Sequence, residues 1–330
     1  MPRELSLAEI FQLGYYWETK ILLTAVKLDV FSVLEGKGRT AAEVARRLEV
    51  DARSLELLMN ALVALGVLRK EADRFANSEV AQTHLVRSTP NYVGHLLLLH
   101  DAEWANWGRL EETVRTGRSP VKRHVFENDP ELGASVLTVL DRIGQQSGPS
   151  LAQRLALGGT ATLLDLGGGA GTNAIAFCTV YPQLRATVFD LPQTLTTTAG
   201  VVKEAGLELR ISLLPGDFNA DPLGGPYDVV LMSDILHYQG PDENAALVKK
   251  VFAHLTDGGQ LVIKDRFLDE TRTSPAWVTA FAVHIMVNTE RGRCYRSADA
   301  MDWMSAAGFE AVIELERTAV VRGAKSRVKE

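Results

Sequence analysis

Residues able to do chemistry come directly after short, largely apolar runs in the C-terminal half of the sequence. Glycines cluster at 167–171 after the run 163–166, and His237 lies just past the run 227–232. If these runs are parallel strands, their carboxyl ends share the sheet edge at which ligands bind. An imidazole at that edge can accept a phenolic or enolic proton near neutral pH, so His237 is predicted to be a general base.

The glycine cluster predicts a binding loop, because glycines let the backbone turn sharply and let a ligand approach without meeting Cβ atoms. The pattern Gly169-x-Gly171-x-x-Ala174 also satisfies the loose dinucleotide fingerprint, so a nicotinamide cofactor is an alternative. Against it, Asp165 would repel a pyrophosphate but would pair with an ammonium group. Asp190 follows Gly171 by 19 residues, where a carboxylate suits ribose hydroxyls. The predicted ligand is therefore an adenosine compound that carries an amine and no phosphates.

Six short motifs occur in the order seen in a known family. They are Leu164-Asp-Leu-Gly-Gly-Gly-Ala-Gly171, Phe189-Asp-Leu-Pro192, Gly216-Asp-Phe218, Asp234-Ile-Leu-His237, Asp257-Gly-Gly259 and Ala307-Gly-Phe309. On these motifs the chain resembles, over essentially its full length, the small-molecule O-methyltransferases of the caffeate and acetylserotonin type. The resemblance implies the cofactor S-adenosyl-L-methionine, a homodimer, and methyl transfer to a hydroxyl of a small aromatic or polyketide-like acceptor.

Roles for individual residues follow from this resemblance. It implies that Asp265 orients the ring of His237 as the second catalytic residue. It also implies a cofactor site with four groups of residues. The methionine end is held by Asp165, Gly167, Gly168, Gly169 and Gly171, the ribose by Asp190 and Leu191, and the adenine by Asp217 and Phe218, while Ser233 and Ser147 add contacts.

The chain departs from the plant members of the family beside the predicted base. The plant pattern His-Asp-Trp is His237-Tyr238-Gln239 here, and a second acid after Gly-Lys is replaced in Gly292-Arg293-Cys294. The predicted base His237 is kept, while the residues that accompany it in the plant members are replaced. The sequence therefore leaves open which group is methylated.

The acceptor pocket is expected to have aromatic and apolar walls with a few polar points, which suits a flat molecule. The residues assigned to it are His100, Trp104, Trp107, Ile143, His284 and Met286. The O-methyltransferase hypothesis includes no metal. The alternative is a metal held by His237 and His284, with Asp234 or Asp265 nearby, that assists C-methylation of an α-keto acid or a similar enolisable substrate. A member of the fold that binds the cofactor without transferring methyl is a further alternative.

The elements that must position these residues change character along the chain. Apolar residues recur at helical spacing over 5–34, and Thr40-Ala-Ala-Glu43 has the form of a capping box. Two helices over 40–65 followed by short strands over 67–77 form a winged-helix pattern, and 91–158 reads as helical. From 161 onward apolar runs alternate with helices, which indicates parallel strands. The predicted fold class is α/β: a doubly wound Rossmann-like methyltransferase domain preceded by an all-helical winged-helix-type dimerisation domain.

Three segments follow from this pattern: a dimerisation domain over 1–100, a helical connecting layer over 101–158 and a cofactor-binding domain over 159–330. A winged helix also suggests a DNA-binding regulator, but the helix at 51–65 offers almost nothing to phosphates. The net charge of −6 gives no attraction to nucleic acid. With 46% hydrophobic residues, two cysteines and neither a signal-type segment nor a membrane span, we expect a cytoplasmic enzyme with no nucleic-acid or membrane partner.

Overall fold

The computed structural model describes residues 4–121 and 129–327. The chain is divided into two compact units, Met1–Trp104 and Ala105–Glu330. The helices over 105–158 therefore group with the C-terminal sheet. The finer division into three segments, with boundaries at 100 and 158, stays a prediction.

The first unit consists of short helices and a small sheet. Its elements are α1 (Leu7–Leu13), α2 (Trp17–Lys27), α3 (Val30–Val33), β1 (Arg39–Thr40), α4 (Ala41–Leu48), α5 (Ala52–Ala64), β2 (Leu68–Glu71), β3 (Arg74–Asn77), α6 (Glu79–His84) and α7 (Gly94–Ala102). The capping box predicted at Thr40 is present: its hydroxyl accepts from the backbone N–H of Glu43, whose carboxylate accepts from the N–H of Thr40.

Helix, helix and hairpin give the winged-helix pattern that the sequence predicts. The strands form an antiparallel sheet in the order β1-β3-β2. The first unit therefore contains a small sheet and is not all-helical as predicted. Its core includes the fully buried side chains of Phe31, Met59 and Phe75. The stripe predicted over 5–34 is divided into three helices, because the chain turns at Gly14 and at Asp29, which has a left-handed backbone conformation.

The second unit alternates strands and helices. Its elements, starting with a short helix that crosses the unit boundary, are α8 (Trp104–Trp107), α9 (Leu110–Thr116), α10 (Pro130–Leu155), β4 (Thr162–Leu166), α11 (Thr172–Val180), β5 (Arg185–Asp190), α12 (Pro192–Glu204), β6 (Ile211–Pro215), β7 (Tyr227–Ser233), a 3-10 turn (Leu236–Tyr238), α13 (Pro241–Ala253), β8 (Leu255–Lys264), α14 (Ala276–Asn288), α15 (Ser297–Ala307), β9 (Glu310–Glu316) and β10 (Val320–Ala324).

These strands form one sheet in the order β6-β5-β4-β7-β8-β10-β9. From β6 to β8 the neighbours are parallel, while β10 runs antiparallel to β8 and β9. The chain passes from β4 outward to β5 and β6, then returns to place β7 on the other side of β4. Ligands bind at such a reversal of strand order, at the carboxyl ends of the strands. The glycine cluster follows β4 and His237 follows β7, so both lie at this edge.

Alternate residues of the central strands point into two separate cores, as the pleat of a strand requires. On β4, Leu164 packs with residues of α13 and α15, whereas Leu163 packs with residues of α10 and α11. Both faces of the sheet are thus covered by helices, which confirms the predicted fold class. The final pair β9 and β10 was missed, because exposed residues of β9 hide its apolar pattern. No helix in the described ranges has the length and apolarity needed to cross a membrane.

Candidate active site

The glycine cluster forms a tight backbone loop at the end of β4. Gly167, Gly169 and Gly171 have positive φ angles of 68°, 56° and 84°. A Cβ atom on Gly167 would lie 2.7 Å from Cγ2 of Ile235, and one on Gly168 would lie 2.8 Å from Cγ of Asp165. The loop needs glycine for both conformation and space, and it leaves backbone exposed to a ligand.

Asp165 is fully buried beneath this loop. Its Oδ2 accepts a hydrogen bond from the backbone N–H of Ala174, at 3.0 Å, in the first turn of α11. Its Oδ1 has no partner among the residues described. Burial raises the pKa of Asp165 to about 7. A buried carboxylate oxygen without a partner fits a cationic group, so the residues present fit the ammonium of the predicted cofactor.

Asp190 ties the loop to the end of β5. Its Oδ2 accepts from the backbone N–H of Gly169 at 2.8 Å, and its Oδ1 accepts from the N–H of Leu191 at 2.7 Å. Burial raises the pKa of Asp190 above its ordinary value. A carboxylate has about four acceptor sites, so Asp190 can still accept from a further donor, such as a ribose hydroxyl. The side chain of Leu191 is partly exposed beside it.

The other predicted cofactor residues lie at varying distances from the loop. Phe218 is close, since its Cε1 would be 3.6 Å from a Cβ on Gly167. Asp217 is exposed, and its Oδ1 accepts from the N–H of Asn219. Ser233 ends β7, next to the loop in the sheet register, and donates to Asp234. Ser147 on α10 is exposed and donates to its own helix at the carbonyl of Gly144. The structure therefore brings Phe218 and Ser233 to the loop more clearly than Ser147.

His237 lies in the 3-10 turn just after β7. The backbone leaves the strand at Asp234, which has a positive φ of 59°, an uncommon conformation for a residue other than glycine. Burial alone would raise the pKa of Asp234, but Lys264 at 2.6 Å and Arg266 at 2.8 Å lower it to about 2. These two ion pairs hold the turn in place. The turn buries His237, which is 1% exposed.

Asp265, at the end of β8, holds the turn and the ring together. Its Oδ1 lies 2.7 Å from Nδ1 of His237, and its Oδ2 accepts from the backbone N–H of Leu236 at 3.0 Å. A carboxylate accepts only, so Nδ1 carries the proton and Nε2 of the neutral ring has a free lone pair. This Nε2 atom is buried and has no hydrogen-bond partner in the described part of the chain. The geometry is that of an imidazole set to accept a proton.

Aromatic rings surround His237 on the side of α14. The ring of Phe281 meets it edge-on at 5.2 Å, and the ring of His284 stacks on Phe281 at 5.7 Å. The ring of Trp107 lies 6.1 Å from His284. The structure thus connects Trp107 and His284 of the predicted pocket to the base through Phe281. Phe281 was missed, and its i, i+3 spacing to His284 was the available signal.

The remaining predicted pocket residues are less closely tied to the base. Met286 is half-buried on α14, and Ile143 is exposed on α10. His100 and Trp104 belong to the first unit, where the ammonium of Lys20 lies 4.6 Å from the Trp104 ring. Their part in a pocket stays a prediction.

The geometry gives no support to the two-histidine metal site. A histidine that binds metal through Nε2 donates its Nδ1–H to a neighbour. Nδ1 of His284 instead faces the side-chain amide nitrogen of Asn288, a donor, at 3.2 Å. Asp234 and Asp265 are held by the contacts described above. Within 4–121 and 129–327, no group of three or more His, Cys, Asp or Glu side chains could hold a metal ion.

Two residues near the site were not predicted from the sequence. Asp141 on α10 is buried, and it accepts from the hydroxyl of Thr172 and from Gln145. Because Thr172 is the first residue of α11, this contact joins α10 to the glycine loop. Asn288, the second, is 2% exposed at the end of α14. For Asn288, a polar side chain in a largely apolar helix was the available signal.

Cys294 stands where the plant pattern has its second acid. Burial, together with the charge of Asp265, raises the pKa of the Cys294 thiol to about 12. The group is therefore a neutral thiol at physiological pH and supplies no negative charge to the base. Tyr238, in place of the plant aspartate, packs its ring 4.4 Å from that of His237.

A glycine loop at a strand-order reversal, a buried acid beneath it and a carboxylate-held histidine in the turn after the neighbouring strand β7 define a class I methyltransferase. Family models agree. The O-methyltransferase domain matches residues 107–310, and the O-methyltransferase dimerisation domain matches residues 11–87. The chain belongs to the O-methyltransferase family. It is an S-adenosylmethionine-dependent enzyme that transfers a methyl group to a hydroxyl of a small molecule. Its first unit contains the dimerisation domain of that family.

Individual relatives cover nearly the whole chain. The tetracenomycin polyketide synthesis 8-O-methyltransferase TcmO of Streptomyces glaucescens is 34% identical over 93% of this chain and 91% of its own. The 3-hydroxy-5-methyl-1-naphthoate 3-O-methyltransferase of Streptomyces sahachiroi is 32% identical over 90% of this chain and 87% of its own. Human N-acetylserotonin methyltransferase, solved with S-adenosylmethionine, shares the fold with a TM-score of 0.84, 23% identity and coverage of 99% and 100%.

Proposed function

We propose that this enzyme methylates a phenolic or enolic hydroxyl of an aromatic, polyketide-like molecule, with His237 as the general base. The observation that carries the proposal is the buried Nε2 of His237, which lacks a partner among the described residues while Nδ1 is held by Asp265. An unpartnered acceptor in a buried position is costly unless a ligand satisfies it. A hydroxyl of the acceptor is the donor that fits.

The protein itself has to supply only proton transfer and positioning, because the cofactor carries the reactive methyl group. When bound, S-adenosylmethionine supplies an electrophilic methyl group on a sulfonium. His237 takes the hydroxyl proton at Nε2, which makes the acceptor oxygen a better nucleophile. Asp265 then stabilises the imidazolium through the Nδ1–H bond and keeps the ring in place. Burial of the ring excludes water that would compete for Nε2.

The cofactor is assigned to the loop and its neighbours. The buried Asp165 and the glycines at 167–171 would hold the amino-acid end, Asp190 with Leu191 the ribose, and Asp217 with Phe218 the adenine. The unpartnered Oδ1 of Asp165 and the capacity of the Asp190 carboxylate to accept a further hydrogen bond support this assignment. Ser233 lies within reach of the loop, and Ser147 is assigned only through the family resemblance.

The acceptor class rests on the rings near the base and on the relatives. The rings of Phe281, His284 and Trp107 form a series of aromatic contacts that begins at His237. Two relatives with more than 30% identity act, by their names, on a polyketide and on a naphthoate. An acceptor with fused aromatic rings suits both observations.

A homodimer is proposed through the first unit. Apolar side chains of α1, of the segment before α2 and of the first residue of α2 are exposed, among them Leu13 at 76% and Trp17 at 58%. A contiguous exposed apolar surface of this kind marks an interaction site. A second copy of the same chain is the occupant that the dimerisation family model supports.

A product assay tests the proposal directly. The purified enzyme is incubated with S-adenosylmethionine and a panel of hydroxylated naphthalenes, anthraquinones and simple phenols, and S-adenosylhomocysteine and product mass are measured. We expect methyl ethers of fused-ring phenols and a His237→Ala variant that binds S-adenosylhomocysteine but has lost most activity. His254→Ala, a histidine at the end of α13, is the control. Full activity of His237→Ala would remove His237 as the base.

A further inference from the structure

Three buried polar side chains form a hydrogen-bonded network with the backbone of the 3-10 turn that carries His237. They are Gln239, Asn244 and Tyr295, and the sequence gave no reason to assign a role to any of them. Polar groups at this depth are generally hydrogen-bonded, because an unmade bond is costly there. Their contacts therefore show which part of the turn they hold.

Asn244, in the first turn of α13, connects the start of the 3-10 turn to its end. Its Nδ2 donates to the backbone carbonyl oxygen of Leu236 at 2.9 Å. A carbonyl oxygen can only accept, so this end of the amide must be the NH₂. The Oδ1 of Asn244 at the other end accepts from Nε2 of Gln239 at 3.2 Å. The orientation of the amide is thus determined at both ends.

Tyr295, between α14 and α15, holds the backbone at the end of the turn. Its hydroxyl donates to the backbone carbonyl oxygen of Gln239. Burial raises the pKa of Tyr295 to about 12, so the hydroxyl keeps its proton and remains a donor at the pH of an enzyme assay. The tyrosine is itself fixed. Its ring meets that of Trp303 edge-on at 4.9 Å, and its carbonyl oxygen accepts from the backbone N–H of Leu268 at 2.8 Å.

The backbone on both sides of the histidine is therefore bound by side chains from other elements. The N–H of Leu236 donates to Asp265, and its carbonyl oxygen accepts from Asn244. Beyond the histidine, the carbonyl oxygen of Gln239 accepts from Tyr295. Asp265 also binds Nδ1 of the ring, but a rotation of the whole turn would move Nε2 away from the acceptor hydroxyl. The contacts of Asn244 and Tyr295 oppose such a rotation.

We propose that Tyr295 and Asn244 are positioning residues for methyl transfer, which direct Nε2 of His237 at the acceptor hydroxyl by fixing the backbone of its turn. Proton transfer is efficient only when donor and acceptor are correctly placed, and a displacement of about 1 Å can cost about 10²-fold in rate. The inference rests on the proposed function, because it adds to the role of His237 as the base. It also gives a part to Gln239, which stands where the plant pattern has tryptophan.

Two tyrosine variants separate positioning from stability. Tyr295→Phe removes one buried hydroxyl that donates to a backbone carbonyl. Tyr227→Phe is the matched control, because the buried hydroxyl of Tyr227 also donates to a backbone carbonyl, that of Leu223 at 3.0 Å. Tyr227 is the first residue of β7, at the amino end of the strand, whereas the base follows its carboxyl end. Since both variants lose the same kind of contact, both should lower the unfolding temperature by a similar amount.

Kinetics with two naphthols then test the role in proton transfer. With 1-naphthol, only Tyr295→Phe should lower kcat, by about tenfold, and the affinity for S-adenosylhomocysteine should be unchanged in both variants. 4-Nitro-1-naphthol is largely ionised at pH 8 and needs no base, so both variants should methylate it at the wild-type rate. Asn244→Leu should behave as Tyr295→Phe does. An equal fall in kcat with the two naphthols, or no fall with either, would overturn the inference.

A spectroscopic test needs no acceptor. Long-range ¹H–¹⁵N spectra of the full-length ¹⁵N-labelled protein bound to S-adenosylhomocysteine report on the ring of His237, and His237→Gln assigns its signals. Tyr295→Phe should shift or broaden these signals while Nδ1 stays protonated, and Tyr227→Phe should leave them unchanged. Unchanged His237 signals in Tyr295→Phe overturn the inference, whether or not the naphthols are substrates. The expected spectral change without methylation of either naphthol supports the positioning of the ring and contradicts the proposed acceptor class.

Discussion

Nδ1 of His237 and Oδ1 of Asp265 lie 2.7 Å apart, and both side chains are buried. The contact joins the end of β7 to the end of β8, two neighbouring strands of the parallel sheet. Because Asp265 also accepts from the backbone N–H groups of Leu236 and Arg266, it fixes the turn that carries the histidine as well as the ring. A carboxylate in this position determines which nitrogen of His237 is basic.

Replacing Asp265 by Asn should lower kcat by about 10²- to 10⁴-fold, because an amide NH₂ facing Nδ1 would move the proton to Nε2 and remove the base. The affinity for S-adenosylhomocysteine should change little. Steady-state kinetics and calorimetry measure the two effects, with the exposed Asp302→Asn as the control. An Asp265→Asn enzyme with kcat near that of the wild type would contradict the assigned role.

Cofactor affinity should depend on pH through Asp165. Burial raises the pKa of this carboxyl to about 7, so it is largely protonated below that pH and charged above it. An ammonium group binds the charged form, and binding of S-adenosylhomocysteine should therefore strengthen as pH rises from 6 to 8, by up to about tenfold per pH unit below the pKa. Proton release should accompany binding near pH 7.

The Asp165→Asn variant should bind more weakly and lose this pH dependence. Asp217→Asn, which changes an exposed carboxylate, should keep it. Calorimetry in buffers of different ionisation enthalpy counts the protons. A wild-type affinity that is flat from pH 6 to 8 would show that Asp165 does not meet the ammonium group.

Gly292 should tolerate no side chain. A Cβ atom there would overlap the backbone carbonyl oxygen of His237 and would lie 2.7 Å from Cγ2 of Ile285. Gly292→Ala should cost about 1–3 kcal/mol of unfolding free energy and lower kcat, because the turn that carries the base must shift. Urea unfolding and kinetics measure both effects.

Gly200→Ala is the matched control. Gly200 lies on α12, and a Cβ there would meet nothing within 4 Å. This substitution should stabilise the protein by about 0.5–1 kcal/mol, since alanine is the better helix former. If both alanine variants unfold at the same urea concentration as the wild type, a Cβ atom at position 292 does not overlap the carbonyl oxygen of His237.

The exposed apolar side chains of α1 should control the oligomeric state. Phe11→Glu combined with Leu13→Glu places charge in the proposed subunit contact and should shift the enzyme from dimer to monomer in sedimentation velocity. Leu209→Glu changes a side chain that is 89% exposed but lies outside the matched dimerisation region, and it should leave the dimer intact. A dimer that survives the α1 substitutions places the interface elsewhere.

Both cysteines should be unreactive in the folded enzyme. Burial raises the pKa of the Cys178 thiol, and burial with the charge of Asp265 raises that of Cys294 to about 12. Since the thiolate is the reactive form, Ellman's reagent at pH 8 should label neither residue quickly in the native protein and both after unfolding. Rapid labelling of Cys294 in the native state would show that its environment is more open or more positive than the structure indicates.

Local rules were sufficient to predict much of the framework from sequence. The capping box at Thr40, the glycine loop after 163–166 and the histidine after 227–232 are each set by a few consecutive residues, because backbone conformation and strand ends depend on near neighbours. The family motifs then indicated that the cofactor is S-adenosyl-L-methionine. Sequence patterns were weaker at β9, where exposed residues interrupt the apolar pattern, and along 5–34, where one stripe became three helices.

What the sequence by itself determined is which residues stand at the carboxyl ends of the strands and hence which chemistry the sheet edge can hold. Only the tertiary structure decided which nitrogen of His237 carries the proton, because sheet register brings Oδ1 of Asp265 within 2.7 Å of its Nδ1. Asp265 is 28 residues from His237 along the chain. Hydrogen bonds are directional and short-ranged, so no spacing along the chain specifies them.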